Sequence, residues 1–521
     1  MEFNLVLKKF RAGMTRIAYL YPSTYEAMLS SLPTHMIYYL ANSIDEVILE
    51  RFHIHRFQGE EPPPRSIETG TPLNKFDLII TSLHYELSII DLLRCLIAAG
   101  IDPRKDRRKQ VIIAGGPVSI SNPIPYSDFI DAFIIGEIEN TIPRLIHDWV
   151  ETKDKKQYLE KISSYSDVYV PNYNDGAKRS YVENLDNAFY PVRQIQNDEI
   201  EPVYGRGFLL ETSRGCRYWC RFCMEGRLFK PYRARSFNLL KNLVDNGIRL
   251  NRVNRVITYS LCFLGSIHEK RLLEHFVEQG IPAVIPSLRI DHIDDDILEL
   301  IGMLGQRTIT VAPESFLNMK NCVFGKYCGK DLLSSLEQIL EKGFDLKIYM
   351  IVGVKGLVEK EVEEAQLVER LARRARSMGR KIVISVNPLI PKPRTPFQWI
   401  GMLRTERIRS LFKALKSRLR RYVDFRDYDI RWAVMQASIS LADKNISKTL
   451  LETVLQGGGL SGWRRALRNT GFNIEYVFSG YDLDEELPWS KILIDKGHER
   501  LVRGEYELLV SLLGEALSDH R

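Results

Sequence analysis

Three of the seven cysteines in this 521-residue chain are clustered: Cys216, Cys220 and Cys223, at Cx3Cx2C spacing. They follow an apolar run, Gly207-Phe-Leu-Leu210, that reads as a strand. A loop with this spacing can turn three thiolates inward onto one metal cluster. A tetrahedral zinc site wants a fourth Cys or His, and none follows until Cys262 and His268. Three thiolates on an iron–sulfur cubane leave one iron open, so the cluster can bind and reduce a small molecule as well as carry electrons. The competing readings are a zinc loop, or three reduced thiols with no metal.

The elements that must hold this loop follow from length and periodicity. A chain of 521 residues is too long for one core, and two or three domains are expected. Residues 1–150 alternate short apolar runs with helical patterns. Arg16–Tyr21, Asp77–Thr81, Gln110–Ala114 and Ala132–Ile135 read as buried parallel strands, with helices over Thr24–Ala41 and Glu86–Ala99. This is the pattern of an open doubly wound sheet, whose ligands sit beyond the carboxyl ends of the strands. Ser82-Leu-His84, Gly115-Gly-Pro117 and Gly136-Glu-Ile-Glu139 fall at those ends. His84 reads as a hydrogen-bonded histidine on a strand end rather than as a site residue. Residues 151–203 form a charged, tyrosine-rich connector that should wrap over the next domain, with a hairpin turn at Asn172–Gly176 and an edge strand over Pro191–Gln196.

From 204 to 400 the pattern is repeated β then α. Strands are expected at Gly207–Thr212, Val253–Ser260, Ala283–Arg289, Thr308–Ala312, Leu346–Val352 and Lys381–Asn387. Helices such as His268–Glu278, Asp294–Leu304, Asp331–Gly343 and Lys360–Met378 separate them. Residues 401–521 read as a mainly helical accessory domain. The basic run over Thr405–Tyr422 is taken as a solvated helix face, because helix Lys360–Met378 beside it carries acidic residues too and no RNA-reading motif appears.

The stretch Cys216–Cys223, with the aromatic Phe222 before the last cysteine, resembles the CxxxCxΦC loop of radical S-adenosylmethionine (SAM) enzymes. The resemblance implies a partial (β/α)6 barrel over residues 204–400, a 4Fe-4S cluster on the three cysteines, and SAM chelating the open iron. By strand position it implies that Ser260 stands near the methionyl amino group, Arg289 near the carboxylate, Glu314 near the amino group or ribose, and Gly353 near the adenine. An ion pair of Arg289 with Asp291 competes with the second role, and helix capping with the third. The leading domain is similar to the cobalamin-binding-type domain found before many such barrels. The loop after its first strand, Tyr21-Pro-Ser-Thr-Tyr-Glu-Ala27, lacks the Asp-x-His-x-x-Gly of that family. Cobalamin, if bound, would therefore have no protein ligand from this loop; the other reading is a scaffold that helps form the substrate cavity. Asn387–Trp399 resembles the proline-rich segment that closes such barrels, with Lys392 and Arg394 placed to greet an anion or to pair in solvent. Tyr85–Ser88, the Ala-Pro-Glu run at Ala312–Glu314 and Tyr481–Trp489 resemble an uncharacterised radical SAM family with a cobalamin-type domain, a likeness covering nearly the whole chain.

Methylthiotransferases carry three further cysteines in the leading domain, where only Cys95 stands here, and no cysteine follows Cys328 to hold a second cluster. Cys262, Cys322 and Cys328 are read as free thiols. No signal peptide opens the chain and no uncharged apolar window spans a bilayer, so a cytoplasmic location is expected. The reading is a radical SAM enzyme with an external one-electron reductant and an unidentified substrate: small molecule, lipid or RNA. Cobalamin-dependent methylation is the alternative within the class, and a non-catalytic metal-binding, RNA-associated scaffold is the alternative outside it.

Overall fold

The computed structural model describes residues 1–55 and 60–518. The first sheet contains Thr15–Tyr21 (β1), Val47–His53 (β2), Leu78–Ser82 (β3), Val111–Gly115 (β4), Ala132–Ile134 (β5) and Val168–Tyr169 (β6). Their order is β2-β1-β3-β4-β5-β6, all parallel except the last pair. Helices cover both faces, as continuous apolar strands require. Ile17 and Tyr19 pack towards Leu32–Asn42 (α1) and Thr141–Thr152 (α3), while Ala18 and Leu20 pack towards Ser88–Ala98 (α2). The doubly wound reading holds. It missed β2, because Glu50 and Arg51 interrupt the apolar run. Both are buried and paired, Arg51 with Glu2 and Glu68 at 2.6 Å each and Glu50 with Arg16 at 3.1 Å. The helix expected over Thr24–Ala41 is broken into Tyr25–Leu29 and α1 at Ser30-Ser31. The turn at Asn172–Gly176 is not a hairpin. Val168–Tyr169 joins the first sheet, whereas Ala177–Lys178 pairs with Ile492–Leu493, so the chain leaves in a new direction.

The second sheet is the barrel wall. Phe208–Glu211 (β7), Val256–Tyr259 (β8) and Ala283–Val284 (β9) run parallel. A bridge from Leu288 to Val311 carries the wall on to Thr308–Glu314 (β10), Asp345–Val352 (β11), Ile382–Pro388 (β12) and Asp424–Asp427 (β13), also parallel. Helices Phe237–Asn251 (α4), Ile267–Glu278 (α5), Asp295–Met303 (α6), Leu332–Glu341 (α7), Val358–Ser377 (α8) and Thr405–Leu419 (α9) form the outer layer. In β10, β11 and β12, buried and half-exposed residues alternate. The buried set, including Ile348, Met350 and Ile384, packs with Leu336, Val368 and Leu371 of the helices. The half-exposed set therefore faces the lumen. The sheet runs past residue 400: β13 reads Asp-Phe-Arg-Asp, polar because it is an exposed edge strand, and periodicity gave it no signal.

The two sheets and the last helices pack as one body. Leu32 and Met36 of α1 bury Leu209 and Ile257 on the lumen side of β7 and β8. The connector ties down the same strands: Tyr190 Oη and Gln194 Nε2 both donate to the Leu209 carbonyl. Ile430–Leu441 (α10), Ser447–Leu455 (α11) and Gly459–Thr470 (α12) add Met435, Ile439, Leu450 and Trp463 to the core of the first domain. The basic surface over α9 is solvated and paired: Arg418 and Arg373 share Glu369, and Lys416 meets Asp427. Lys392 and Arg394 are neither free nor solvated. Lys392 pairs with buried Glu86, and buried Arg394 donates to the carbonyls of Ser121 and Trp489. No described helix is long and apolar enough to cross a membrane.

Candidate active site

The cysteine loop leaves the barrel wall at the carboxyl end of β7. Gly215, at φ +81°, crosses under the carbonyls of Phe229 and Pro231 so closely that a Cβ would lie 2.3 and 2.6 Å from them. Arg214 fixes the start of the loop through Glu211 (2.9 Å), Glu137 (2.7 Å) and Glu139 (2.8 Å), the last two from the strand-end segment after β5. Burial would raise the Glu211 carboxyl, but the guanidinia of Arg214 and Arg235 hold it down to about 2. Arg221 docks the far side of the loop on the short helix Asn318–Phe324, its amide donating to the Phe324 carbonyl (2.8 Å) and its guanidinium to that of Cys322 (2.6 Å). Phe222 packs edge-on against Phe324.

Cys216, Cys220 and Cys223 are free and half-buried on this loop. Gly226 backs them: its N–H donates to Cys223 Sγ (3.3 Å), and a Cβ there would sit 3.5 Å from that sulfur and 3.7 Å from Cys216 Cβ. The Cys262 thiol hydrogen-bonds Cys216 and draws its pKa down, while burial pushes Cys220 up and Cys223 up to about 12. Arg289 and Lys326 oppose the rise at Cys220 by favouring its thiolate. Among the described residues no three Cys, His, Asp or Glu side chains converge on a point that could hold a single metal ion. A cubane gives each thiolate its own iron, and the three free thiols with cations around them fit such a 4Fe-4S cluster.

Of the four positions expected near SAM, Ser260 meets the base of this loop through Ser213, Arg289 meets it through Tyr218 and Glu314 through Lys326, which lies over Phe222, whereas Gly353 follows β11. Ser260 Oγ pairs with Ser213 Oγ (2.7 Å) and accepts from the Cys262 amide (3.0 Å). Ser213 and Thr212 donate in turn to Glu269 (2.9 and 2.6 Å), a carboxylate with no exposed surface that also caps α5. Arg289 makes the ion pair that competes with a SAM role, both nitrogens at 2.9 Å from Asp291. Its guanidinium lies flat over Tyr218 (3.4 Å) and near Tyr327 (4.6 Å). Glu314 ends β10 at φ +63°, buried, and meets Lys326 at 3.1 Å; burial raises its carboxyl despite that lysine. Gly353, at φ +87°, already donates its N–H to Glu361 (2.7 Å), which leaves only its carbonyl for a ligand. Two carboxylates of α8 organise these last two strand ends. Glu361 holds Gly353 and Val354, Glu364 holds Ser315, and buried Lys320 bridges them at 2.8 and 3.2 Å.

Sequence reasoning missed Glu269, Arg214 and the Lys320 bridge; it read Cys262 as the free thiol it is, without its place beside Cys216. Only the Ser-x-x-Glu capping box at Ser266–Glu269 offered a local signal. Cys322 and Cys328, expected as free thiols, form a disulfide: Gly325 turns the chain back at φ +64° and brings their Cα atoms to 4.5 Å. His84 is the hydrogen-bonded strand-end histidine the sequence suggested: it bonds the Ser82 backbone and stacks on Tyr21 at 5.3 Å, and burial lowers its pKa. A cleft of about 420 Å³ lined by Lys105, Arg108, Asp131 and Lys155 lies in the first domain, away from all of these groups.

Residues 33–171 match the N-terminal domain of radical SAM proteins, and residues 210–368 match the radical SAM superfamily. An uncharacterized protein of Methanocaldococcus jannaschii is 27% identical over 441 residues, covering 83% of this chain and 90% of its own length. A second protein of that organism, named as a candidate methylthiotransferase, is 29% identical over 242 residues, 44% of this chain and 49% of its own length. Among solved structures, the radical SAM methyltransferase TsrM from Kitasatospora setae, with cobalamin and a 4Fe-4S cluster bound, superposes with a TM-score of 0.53 at 12% identity, over 88% of this chain and 99% of that one. The chain is a member of the radical SAM superfamily, whose cofactors are a 4Fe-4S cluster and SAM.

Proposed function

We propose that the chain is a radical SAM enzyme in which Cys216, Cys220 and Cys223 hold the cluster and a substrate in the barrel lumen loses hydrogen to SAM-derived chemistry. The observation that carries this reading is three free thiols on one loop at the carboxyl end of β7, which packs through Phe222 with Ile351 and Leu389 at the carboxyl ends of β11 and β12. Cys216, Cys220 and Cys223 would hold the cluster, which, once reduced by an external one-electron carrier, would supply the electron for cleaving SAM to methionine and a deoxyadenosyl radical. The chain's own residues bind, orient and exclude water. Ser260 and Glu314 each offer an acceptor for the methionyl amino group. Arg289, braced by Asp291, Tyr218 and Tyr327, presents a fixed cation to the carboxylate, and the Gly353 carbonyl is left for the adenine. α1 of the first domain closes one side of the lumen and keeps water from it.

A second reading, cobalamin-dependent methyl transfer, is favoured by one observation. The carboxyl edge of the first sheet abuts the cysteine loop, through Glu137 and Glu139 on Arg214 and through helix Pro117–Ser121 against helix Glu225–Leu228. The loop after β1 offers no histidine, so a corrin at that edge would lack an axial ligand from it.

The test is anaerobic reconstitution with iron and sulfide, with and without hydroxocobalamin, followed by dithionite and SAM. Deoxyadenosine production that Cys220→Ala abolishes, with circular dichroism unchanged, is the expected result. Corrin retained on the protein moves methyl transfer ahead. Absence of both four irons and deoxyadenosine overturns the proposal in favour of the metal-binding scaffold.

A further inference from the structure

The lumen wall carries a set of side chains that the SAM reading leaves unused. Thr310, Lys347, Tyr349, Ser385 and Asn387 lie on the lumen face of β10, β11 and β12, each half-exposed. The strand register brings Lys347 beside Thr310, and Tyr349 beside Ser385. Among the described residues, none of the five side chains makes a hydrogen bond or ion pair with the protein. Being half-exposed, these groups are open to solvent or to a ligand in the lumen. Lys347 is the one cation on this face and has no carboxylate within 4 Å. Asp345, two residues back on the same face, accepts from the Lys381 amide (2.8 Å) and makes no ion pair with Lys347. Instead the Lys347 ammonium rests over the Tyr349 ring, 5.2 Å from its centroid, which holds it against the wall rather than in bulk water.

We infer that the lumen face of β10 to β12 is the substrate site and that it takes an organic acid, its carboxylate or phosphate on Lys347 and its neutral polar part against Tyr349, Ser385 and Asn387. The inference rests on the proposed radical SAM reading and adds the substrate class. Charge selects the acid, because an unpaired ammonium between low-dielectric walls attracts an anion more strongly than it does in water. Geometry sets the reach. Ile351, four residues on from Lys347 and so roughly 13 Å further along the strand at about 3.3 Å per residue, shares a hydrophobic cluster with Phe222 of the cysteine loop. The carbon that reacts is therefore held away from the acid group, towards the loop.

Full-length, cluster-loaded protein is titrated with benzoate, phenyl phosphate and neutral benzamide by ligand-observed NMR, in the wild type, Lys347→Met and Lys347→Arg. Deoxyadenosine formation with dithionite and no added substrate is followed in parallel. Expected is binding of at least one of the two acids to the wild type, weakened tenfold or more in Lys347→Met and restored in Lys347→Arg, with benzamide unaffected. The stronger of the two acids tells carboxylate from phosphate. The KM for SAM and the rate of unproductive cleavage should stay within twofold of wild type. Equal acid binding by Lys347→Met, no acid binding by the wild type, or a raised KM for SAM each overturn the inference. Failure of the wild type to cleave SAM would overturn the radical reading instead, and the acid titrations would still be readable.

Discussion

At the scale of single residues, the site depends on side chains that never touch a ligand. Glu269 has no exposed surface, and it accepts from Thr212, Ser213 and the Ser266 amide. Burial raises its carboxyl, and the hydrogen bonds from those donors oppose the rise. Through Ser213 it sets the Ser260 hydroxyl beside the Cys262 amide. Glu269→Ala would strand two buried hydroxyl donors. Such a loss costs about 1–3 kcal/mol for each unsatisfied group. The expected outcome is a lower urea midpoint together with a raised KM for SAM, at unchanged iron content per chain. An unchanged KM at the lower midpoint would reduce Glu269 to a stabilising residue with no part in placing Ser260.

The elements make their contribution at strand ends. β10 and β11 each finish on a backbone of positive φ, at Glu314 and Gly353, and neither turn is satisfied by its own strand. α8 supplies the missing acceptors three residues apart, Glu361 and Glu364, so that both carboxylates lie on one helix face. Lys320, from the short helix Asn318–Phe324, neutralises part of that charge from a position with no exposed surface. Removing one partner from a buried ion cluster leaves the others uncompensated and typically costs about 3–5 kcal/mol. Lys320→Met should therefore unfold at markedly lower urea than wild type. Lys320→Met combined with Glu361→Gln should recover part of the loss, because the second change removes one stranded charge. If the double variant were as unstable as the sum of the two singles, the cluster would not be acting as a unit.

For the whole molecule, one buried carboxylate joins three regions. Glu86, after β3, accepts from Lys392 of the barrel-closing segment and from Gln436 (2.9 Å) and Ser440 (3.0 Å) of α10. Burial alone would raise this carboxyl, but the Lys392 ammonium together with the hydrogen bonds from Lys392 and Gln436 outweighs it, and the pKa is lowered. A carboxyl depressed by folding contributes stability that is present above its unfolded value, about 4.3, and is lost as pH falls through the folded value. Wild type should therefore lose stability below about pH 4.3 more steeply than Glu86→Gln, as read from urea midpoints across pH 3–6. Parallel curves would show that this link carries no pH dependence.

The cysteine spacing, the βα rhythm and the proline-rich closing segment were legible in the chain because each is a local pattern. Three thiols within one loop, apolar runs of strand length, and prolines that forbid helix need no distant partner to be recognised. The doubly wound sheet followed from those patterns, and the barrel from the βα rhythm together with the resemblance of the Cys216–Cys223 loop to radical SAM enzymes. Tertiary structure alone decided what the charged residues do. Glu50 and Arg51 hid a strand because their partners, Arg16, Glu2 and Glu68, come from other segments. Asp424–Asp427 is polar because it is an edge, and an edge is a property of the sheet. Lys392 and Arg394 were turned inward by Glu86 and by two carbonyls far along the chain. Cys322 and Cys328 were joined by a left-handed turn at Gly325. Lys347 was left unpaired on the lumen wall. A short-range pattern states which residues are apolar and how they repeat, whereas a charge has a role only once folding has fixed which opposite charge, carbonyl or open space stands beside it.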